Sequence, residues 1–207
     1  MSRFRLAGLA IGLAALAGVC LAFAVPSGSG TTPSLPKLHG QVTWLPHERS
    51  APTFALRDQD GKQVSLASLR KRPVLLTFLD SECHEQCPLE GRDLGIMLRQ
   101  MPAAARPTVV IVSVNPSGDT PTSVRHAMGE WGLAGPWRWH WLRGSRAELV
   151  RVWAAYGIGV EPTTNDITHG MALYLIDSRG DERAGYLFPF LPNFVALDLR
   201  TLARERS

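Results

Sequence analysis

Two cysteines and a histidine carry the chemistry that can be read from this chain. Cys83 and Cys87 lie in Asp80-Ser81-Glu82-Cys83-His84-Glu85-Gln86-Cys87-Pro88, directly after the apolar run 74–79. A run of six residues that is apolar but for Thr77 reads as a strand buried on both faces. Pro88 suits the first turn of a helix, where its missing N–H costs nothing. The cysteines therefore fall where a strand hands over to a helix, which is where open α/β sheets place ligands. The first N–H groups of that helix have no intrahelical partner, and with the helix dipole they favour negative charge. A thiol held there gives up its proton more easily, and thiolate is both the nucleophile and the metal ligand.

The spacing alone leaves several roles open. Residues four apart on a helix have Cβ atoms about 5–6 Å apart, whereas a disulfide wants about 3.5–4.5 Å. A metal ion with bonds near 2.3 Å to sulfur tolerates the wider separation. A Cys83 held in a loop before the helix relaxes that limit, so a disulfide, a metal site and a redox couple all remain. A metal needs more than two sulfurs. The third candidate is His169, in Asn165-Asp166-Ile167-Thr168-His169-Gly170 and immediately before the apolar run 171–176. Gly170 frees the backbone to bend around it. His84, between the cysteines, reads as a solvated loop residue rather than a fourth ligand.

These side chains need a scaffold. Phe54–Arg57 and Gln63–Leu66 flank Asp58-Gln59-Asp60-Gly61-Lys62, a hairpin signal. The strand 74–79, a helix to about Met101 and the buried strand 109–114 form a parallel βαβ unit. A second helix follows Asp119-Thr120-Pro121 and ends near Trp131. Trp137, Trp139 and Trp141 alternate along a strand with one aromatic face. Ser145-Arg146-Ala147-Glu148 has capping-box spacing and opens a helix to Tyr156, with Gly157 as its stop. The strand at 171–176, a turn at 178–181, a strand at 182–188 and an amphipathic helix at 193–203 complete a mixed sheet covered by helices. On the second helix, His126 and Met128 point to different faces, surface and core.

The N-terminus reads differently. Arg3 and Arg5 precede an uncharged apolar run, Leu6 to Val25, long enough to span a bilayer as a helix. Flanking positive charge would keep its start inside and send the rest out. Ala22-Phe23-Ala24 also has the small-x-small form of a cleavage site, and Cys20 is one more apolar residue of the run. Residues 1–25 are thus a membrane anchor or signal segment, 26–51 a Gly/Ser/Thr/Pro-rich linker in which Val42-Thr43-Trp44-Leu45 looks like a short strand, and 52–207 the folded domain. The formal charge of +4 falls to about +2 without those two arginines. With no basic stripe interleaved with aromatics, nucleic acid is not an expected partner.

Taken together, Cys-x-x-x-Cys-Pro after a strand, Asn115-Pro116-Ser117-Gly118-Asp119-Thr120-Pro121 after the next, the late His169 and the opening hairpin resemble the Sco/SenC family. The resemblance covers residues 51 to 188. It implies a thioredoxin-like fold, copper bound by Cys83, Cys87 and His169, and a copper-chaperone role in building the dinuclear copper centre of cytochrome c oxidase. The implied partners are the oxidase subunit with that centre and a copper donor or thiol reductant. The implied place is the membrane, with the domain on the periplasmic or extracytoplasmic side. Asp119 matches a family aspartate of structural role. The chain departs from the family at His84, often Pro there, at the acidic Asp80-Ser81-Glu82, and at Asn115, usually Asp.

Copper also suits the donors physically, since thiolates select Cu(I) and an imidazole supports Cu(II); zinc is the less favoured alternative. Oxidation of Cys83 and Cys87 to a disulfide would remove the site, so loading depends on reduction. The competing function is a membrane-tethered thiol–disulfide oxidoreductase. Against it, such reductants use Cys-x-x-Cys with a proline before the facing strand, and here three residues intervene and His169-Gly170 takes the proline's place. No threonine stands three residues before either cysteine, which argues against a peroxidase of the peroxiredoxin type.

Overall fold

The computed structural model describes residues 37–163 and 166–205. The apolar run at 6–25, Cys20 and Asn165 lie outside the described residues. Among the described residues, no helix is long and apolar enough to cross a membrane.

In chain order the elements are β1 (Val42–Thr43), β2 (Ala55–Arg57), β3 (Gln63–Ser65), β4 (Val74–Leu79), α1 (Gln86–Gln100), β5 (Thr108–Ser113), α2 (Pro121–Glu130), β6 (Trp139–Leu142), α3 (Arg146–Ala155), β7 (Val160–Pro162), β8 (Ile167–His169), β9 (Ala172–Ile176), β10 (Glu182–Leu187) and α4 (Pro192–Arg204). The main sheet has the order β1-β10-β9-β4-β5-β6. β4, β5 and β6 run parallel, with Leu75 opposite Val109 and Ile111 opposite Trp141. β9 runs antiparallel to both β4 and β10.

The sheet is buried on both faces because β4 and β5 are apolar but for Thr77, Thr108 and Ser113, which are buried with the rest. Leu75, Leu79, Val109 and Ile111 turn toward Leu94 and Leu98 of α1, Val124 and Met128 of α2, and Leu199 and Leu202 of α4. Leu76, Phe78, Val110 and Val112 turn the other way, against the β2–β3 hairpin and against Leu149, Val152 and Trp153 of α3. Period-2 alternation thus sends successive side chains of one strand into two cores. Helix starts follow their caps: Thr120 with Ser123 on α2 and Ser145 with Glu148 on α3 form reciprocal capping boxes. Gly157, after α3, holds φ at 69°, a left-handed stop that favours glycine. α1 packs close to the end of α2, where a Cβ on Gly95 would lie 2.4 Å from the Gly132 carbonyl oxygen.

Two sequence expectations change. Residues 37–51, read as the end of a linker, belong to the folded unit. The short strand read at 42–45 is there as β1 and pairs with β10, Ser50 bridges Asp181, and Leu38 is buried in the core. The reason is the edge of β10, which would otherwise leave a row of unpaired N–H and C=O groups. Around His169 the chain forms a second small hairpin, β7 with β8, which the apolar pattern did not reveal. Trp141 is buried under the helices while Trp137 and Trp139 are half-buried against the same core. Met128 is buried, and His126 is exposed beside Glu130 at 3.6 Å.

Candidate metal centre

Asp80 follows directly on β4, and its carboxylate shapes the cysteine loop. Its Oδ1 accepts from the Glu82 N–H at 2.8 Å and from Asn115 Nδ2 at 3.1 Å, while its carbonyl accepts from the Cys83 N–H at 3.3 Å. Ser81 donates its N–H and hydroxyl to Asp119 Oδ1 at 2.8 and 2.6 Å, and Trp141 Nε1 donates to Asp119 Oδ2 at 3.2 Å. The loops after β4 and β5 are therefore fixed to each other by two buried carboxylates, Asp80 and Asp119. Burial pushes the Asp119 carboxyl up to about 6. Its role is structural, consistent with its position beneath the loop.

Cys83 emerges from this turn half-buried, and α1 begins three residues later. Glu85 occupies the N-cap without a side-chain cap bond. The N–H groups of Glu85, Gln86 and Cys87 are therefore free to point at the Cys83 sulfur. They and the hydrogen bond from the Cys87 thiol, the largest influence, bring the Cys83 thiol down to about 6 against the effect of burial. Cys87 is fully buried, and its thiol shifts strongly upward because it shares that bond with Cys83 and is cut off from water. Both cysteines are free thiols.

His169 reaches the pair because of strand order. β9 lies antiparallel beside β4, with Thr77 opposite Leu173. The start of β9 thus meets the end of β4, and residues just before β9 face residues just after β4. The β7–β8 pairing of Val160 with His169, and the Gly170 N–H bond to the Gly159 carbonyl at 2.9 Å, hold that approach. His169 Nε2 sits 3.4 Å from Cys87 Sγ, and Nδ1 is 3.1 Å from the Gly170 carbonyl oxygen. With the proton on Nδ1 donated to that carbonyl, the Nε2 lone pair faces the sulfur, the tautomer a metal ligand needs.

Cys83, Cys87 and His169 share a cleft of about 140 Å³ with Thr168 and Met171. Among the described residues, no three or more His, Cys, Asp and Glu side chains are gathered so as to hold a metal ion as they stand. The arrangement is open, with Cys87 between its two partners and Cys83 on the solvent side. A separation of 3.4 Å between sulfur and nitrogen is one that a single ion could bridge with bonds of about 2.3 and 2.0 Å. His84 is exposed and lines a different groove, of about 340 Å³, with Glu82, Arg92, His126 and Glu130 on the other side of Cys83.

The SCO1/SenC family model matches residues 44–202. The chain belongs to the SCO1/SenC family. The SCO1 protein homolog of Bacillus subtilis is 26% identical over 146 residues, covering 68% of this chain and 75% of that protein. The structure of Bradyrhizobium japonicum ScoI with copper bound is 27% identical, with a TM-score of 0.60 over 73% of this chain and 98% of the other. That of Arabidopsis thaliana ScoI with copper bound is 22% identical, with a TM-score of 0.65 over 75% and 98%. The mixed sheet flanked by helices is the architecture of Sco structures.

One residue beside the pair escaped the sequence reading. Glu90, three residues after Cys87 on α1, is fully buried, and burial pushes its carboxyl up to about 8. Its Oε1 accepts from the Thr77 hydroxyl at 2.5 Å, and Oε2 has no partner. The spacing from Cys87 was the available signal, because residues three apart share a helix face.

Proposed function

We propose that this SCO1/SenC protein binds copper through Cys83, Cys87 and His169 outside the cytoplasm and passes it on during assembly of the copper centre of cytochrome c oxidase. The observation that carries the reading is the approach of His169 Nε2 to Cys87 Sγ at 3.4 Å, with Nδ1 engaged by the Gly170 carbonyl. It gives a soft sulfur pair an imidazole with its lone pair already turned inward, a donor set that accommodates both Cu(I) and Cu(II).

Copper is the cargo, so the site must take it up and let it go. Cys83 is the half-exposed thiolate and the ligand an incoming ion meets first. Cys87 is protonated until the ion arrives, and its proton leaves as the Cys87–copper bond forms. The open side at Cys83 leaves room for a ligand from a donor or acceptor. The partners are a copper donor or thiol reductant and the oxidase subunit carrying the dinuclear copper site. The apolar run Leu6–Val25 would tether the domain to the membrane.

The test uses the reduced protein. Copper is added, and stoichiometry and visible sulfur-to-copper charge-transfer absorption are measured for the parent and for His169→Ala. The expected result is near-stoichiometric binding in the parent that collapses in the variant. Unchanged binding in the variant would remove His169 from the site.

The unequal thiols favour one second reading, a thiol–disulfide oxidoreductase. A Cys83 thiolate would attack a partner disulfide to form a mixed disulfide. Cys87, after losing its proton to His169 Nε2, would then displace the partner's second sulfur as thiolate, leaving a Cys83–Cys87 disulfide and a reduced partner. Absent copper binding together with rapid disulfide exchange would select this reading.

A further inference from the structure

α4 is amphipathic in an unusual way. Its inner face packs Val195, Ala196, Leu199 and Leu202 into the core. Its outer face begins with Leu191, Phe194 and Leu197, all exposed. Spacing of three puts them in one stripe, where a solvent-facing helix would carry polar residues. Ile96 of α1 and Leu187 of β10 are exposed as well, and a groove of about 360 Å³ runs between Ile96 and the Leu191–Phe194 turn, with Asp93, Gln100 and Asn193 as its polar lining. Scattered exposed leucines need no explanation, but a contiguous apolar patch does.

The chain itself indicates what covers it. The described part begins at Lys37, and two residues later His39 is fastened to α4. The His39 N–H donates to Asp198 Oδ2 at 2.8 Å, its Nδ1 lies 2.6 Å from Asp198 Oδ1, and its ring stacks on Phe194 with centroids 4.8 Å apart. Asp198 is buried and also accepts from the Tyr186 hydroxyl at 2.5 Å. The entry point of the chain is therefore pinned to the apolar stripe. Only residues 26–36 separate it from the end of the apolar run at Val25. Eleven residues reach at most about 40 Å even when fully extended. A compact domain of about 170 residues has a radius of gyration of about 15 Å and a width near 40 Å. A tether joined to the domain beside Phe194 lets that side meet a bilayer with chain to spare, whereas the far side would need the tether stretched to about its full 40 Å.

We propose that the stripe Leu191–Phe194–Leu197, with Ile96 beside it, rests on the lipid surface in which the chain is anchored. The inference depends on the reading of residues 6–25 as a membrane anchor. Its consequence concerns the metal site. Ile96 lies nine residues along α1 from Cys87, a rise of about 14 Å. The cysteine pair is then held at a set, short distance from the membrane, where a membrane-embedded acceptor would present its own site.

The test places the full chain in vesicles of phosphatidylcholine and phosphatidylglycerol and oxidises exposed side chains with hydroxyl radicals. The same chain, cut free at a protease site introduced in the 26–36 segment, is the reference. Oxidation of Leu191, Phe194 and Leu197 is expected to fall at least threefold in the tethered form, while exposed Val150 on α3 is unchanged. In Leu197→Glu, Leu191 should return to the level of the released form, with copper stoichiometry unaltered as a check on folding. If that variant does not fold, the comparison of tethered and released parent decides alone. Failure of the chain to float with the vesicles overturns the anchor reading and this inference together. Floating with equal oxidation in both forms overturns this inference alone. So does protection that arises only when another membrane protein is added, which makes the stripe a protein-docking surface.

Discussion

Glu90→Gln is expected to stabilise the reduced, metal-free protein, and to do so more as pH rises. Glu90 is fully buried, and burial lifts its carboxyl from an ordinary 4.5 to about 8. An acid whose pKa is raised in the fold contributes stability below its unfolded pKa and loses it as pH climbs through the folded value. The loss therefore runs from about pH 4.5 to about pH 8. At about 1.4 kcal/mol per unit it amounts to roughly 3 kcal/mol at pH 7 and about 5 kcal/mol above pH 8. Glutamine has the same shape, can still accept from Thr77, and has no proton to gain or lose. Its amide donors find nothing at the Oε2 position, which lacks a partner already, at a cost of about 1–2 kcal/mol. The net expectation is slight destabilisation near pH 4.5, a gain of about 2 kcal/mol at pH 7 and a gain of about 3–4 kcal/mol at pH 8.5. Urea unfolding of parent and variant at each pH measures this directly. Because the two are compared at one pH, the titration of Cys83 and the other groups largely cancels. A difference that stays constant from pH 4.5 to 8.5 would mean that Glu90 does not titrate in this range, and the argument from burial would be wrong. The result bears on the metal site too. A neutral acid one turn from Cys87 does not repel the thiolate that copper needs, whereas an ionised one pushes the Cys87 thiol further up.

Other perturbations follow from the same geometry. Alkylation of the reduced protein by iodoacetamide should occur at Cys83 and spare buried Cys87. Its rate should be flat above about pH 7 and fall tenfold per unit below about 6, the value to which the Cys87 hydrogen bond and the helix N–H groups bring Cys83; peptide mass spectrometry across pH checks it, and a rate still rising at pH 8.5 would show an ordinary thiol. Asp119→Ala removes the acceptor for Ser81 and Trp141 in a buried place and should cost about 2–4 kcal/mol in unfolding free energy, read from urea midpoints. Gly95→Ala puts a methyl against the backbone oxygen of Gly132 at 2.4 Å. Because backbone cannot step aside as a side chain can, a loss of about 1–3 kcal/mol is expected, against little change for Gly129→Ala, which meets nothing within 4 Å.

The sequence exposed those parts of the fold and site that depend on local rules. The runs at 74–79 and 109–114 became the two central strands because a strand buried on both faces reads as a near-continuous apolar run, here broken only by Thr77 and Ser113. The capping boxes at Thr120 and Ser145 marked their helices because an N-cap is satisfied within one turn. The cysteine pair announced itself for the same reason, since position at a helix start is a local fact. What was not legible depends on partners far along the chain. The segment 42–45 reads as a short strand inside a linker, but that its partner is the edge of β10, about 140 residues later, cannot be read locally. His169 could be nominated from its neighbours, but its approach to Cys87 is set by β9 running back along β4. Glu90 is the sharpest case. A glutamate on a helix reads as solvent-facing, since charged residues are almost never fully buried unpaired. Only the assembled sheet shows Thr77 of β4 supplying its single hydrogen bond. A buried acid without a full set of partners destabilises the fold, as the Gln substitution would measure. Its place one turn along α1 from Cys87 couples the two groups, since an ionised Glu90 makes the Cys87 thiol harder to ionise.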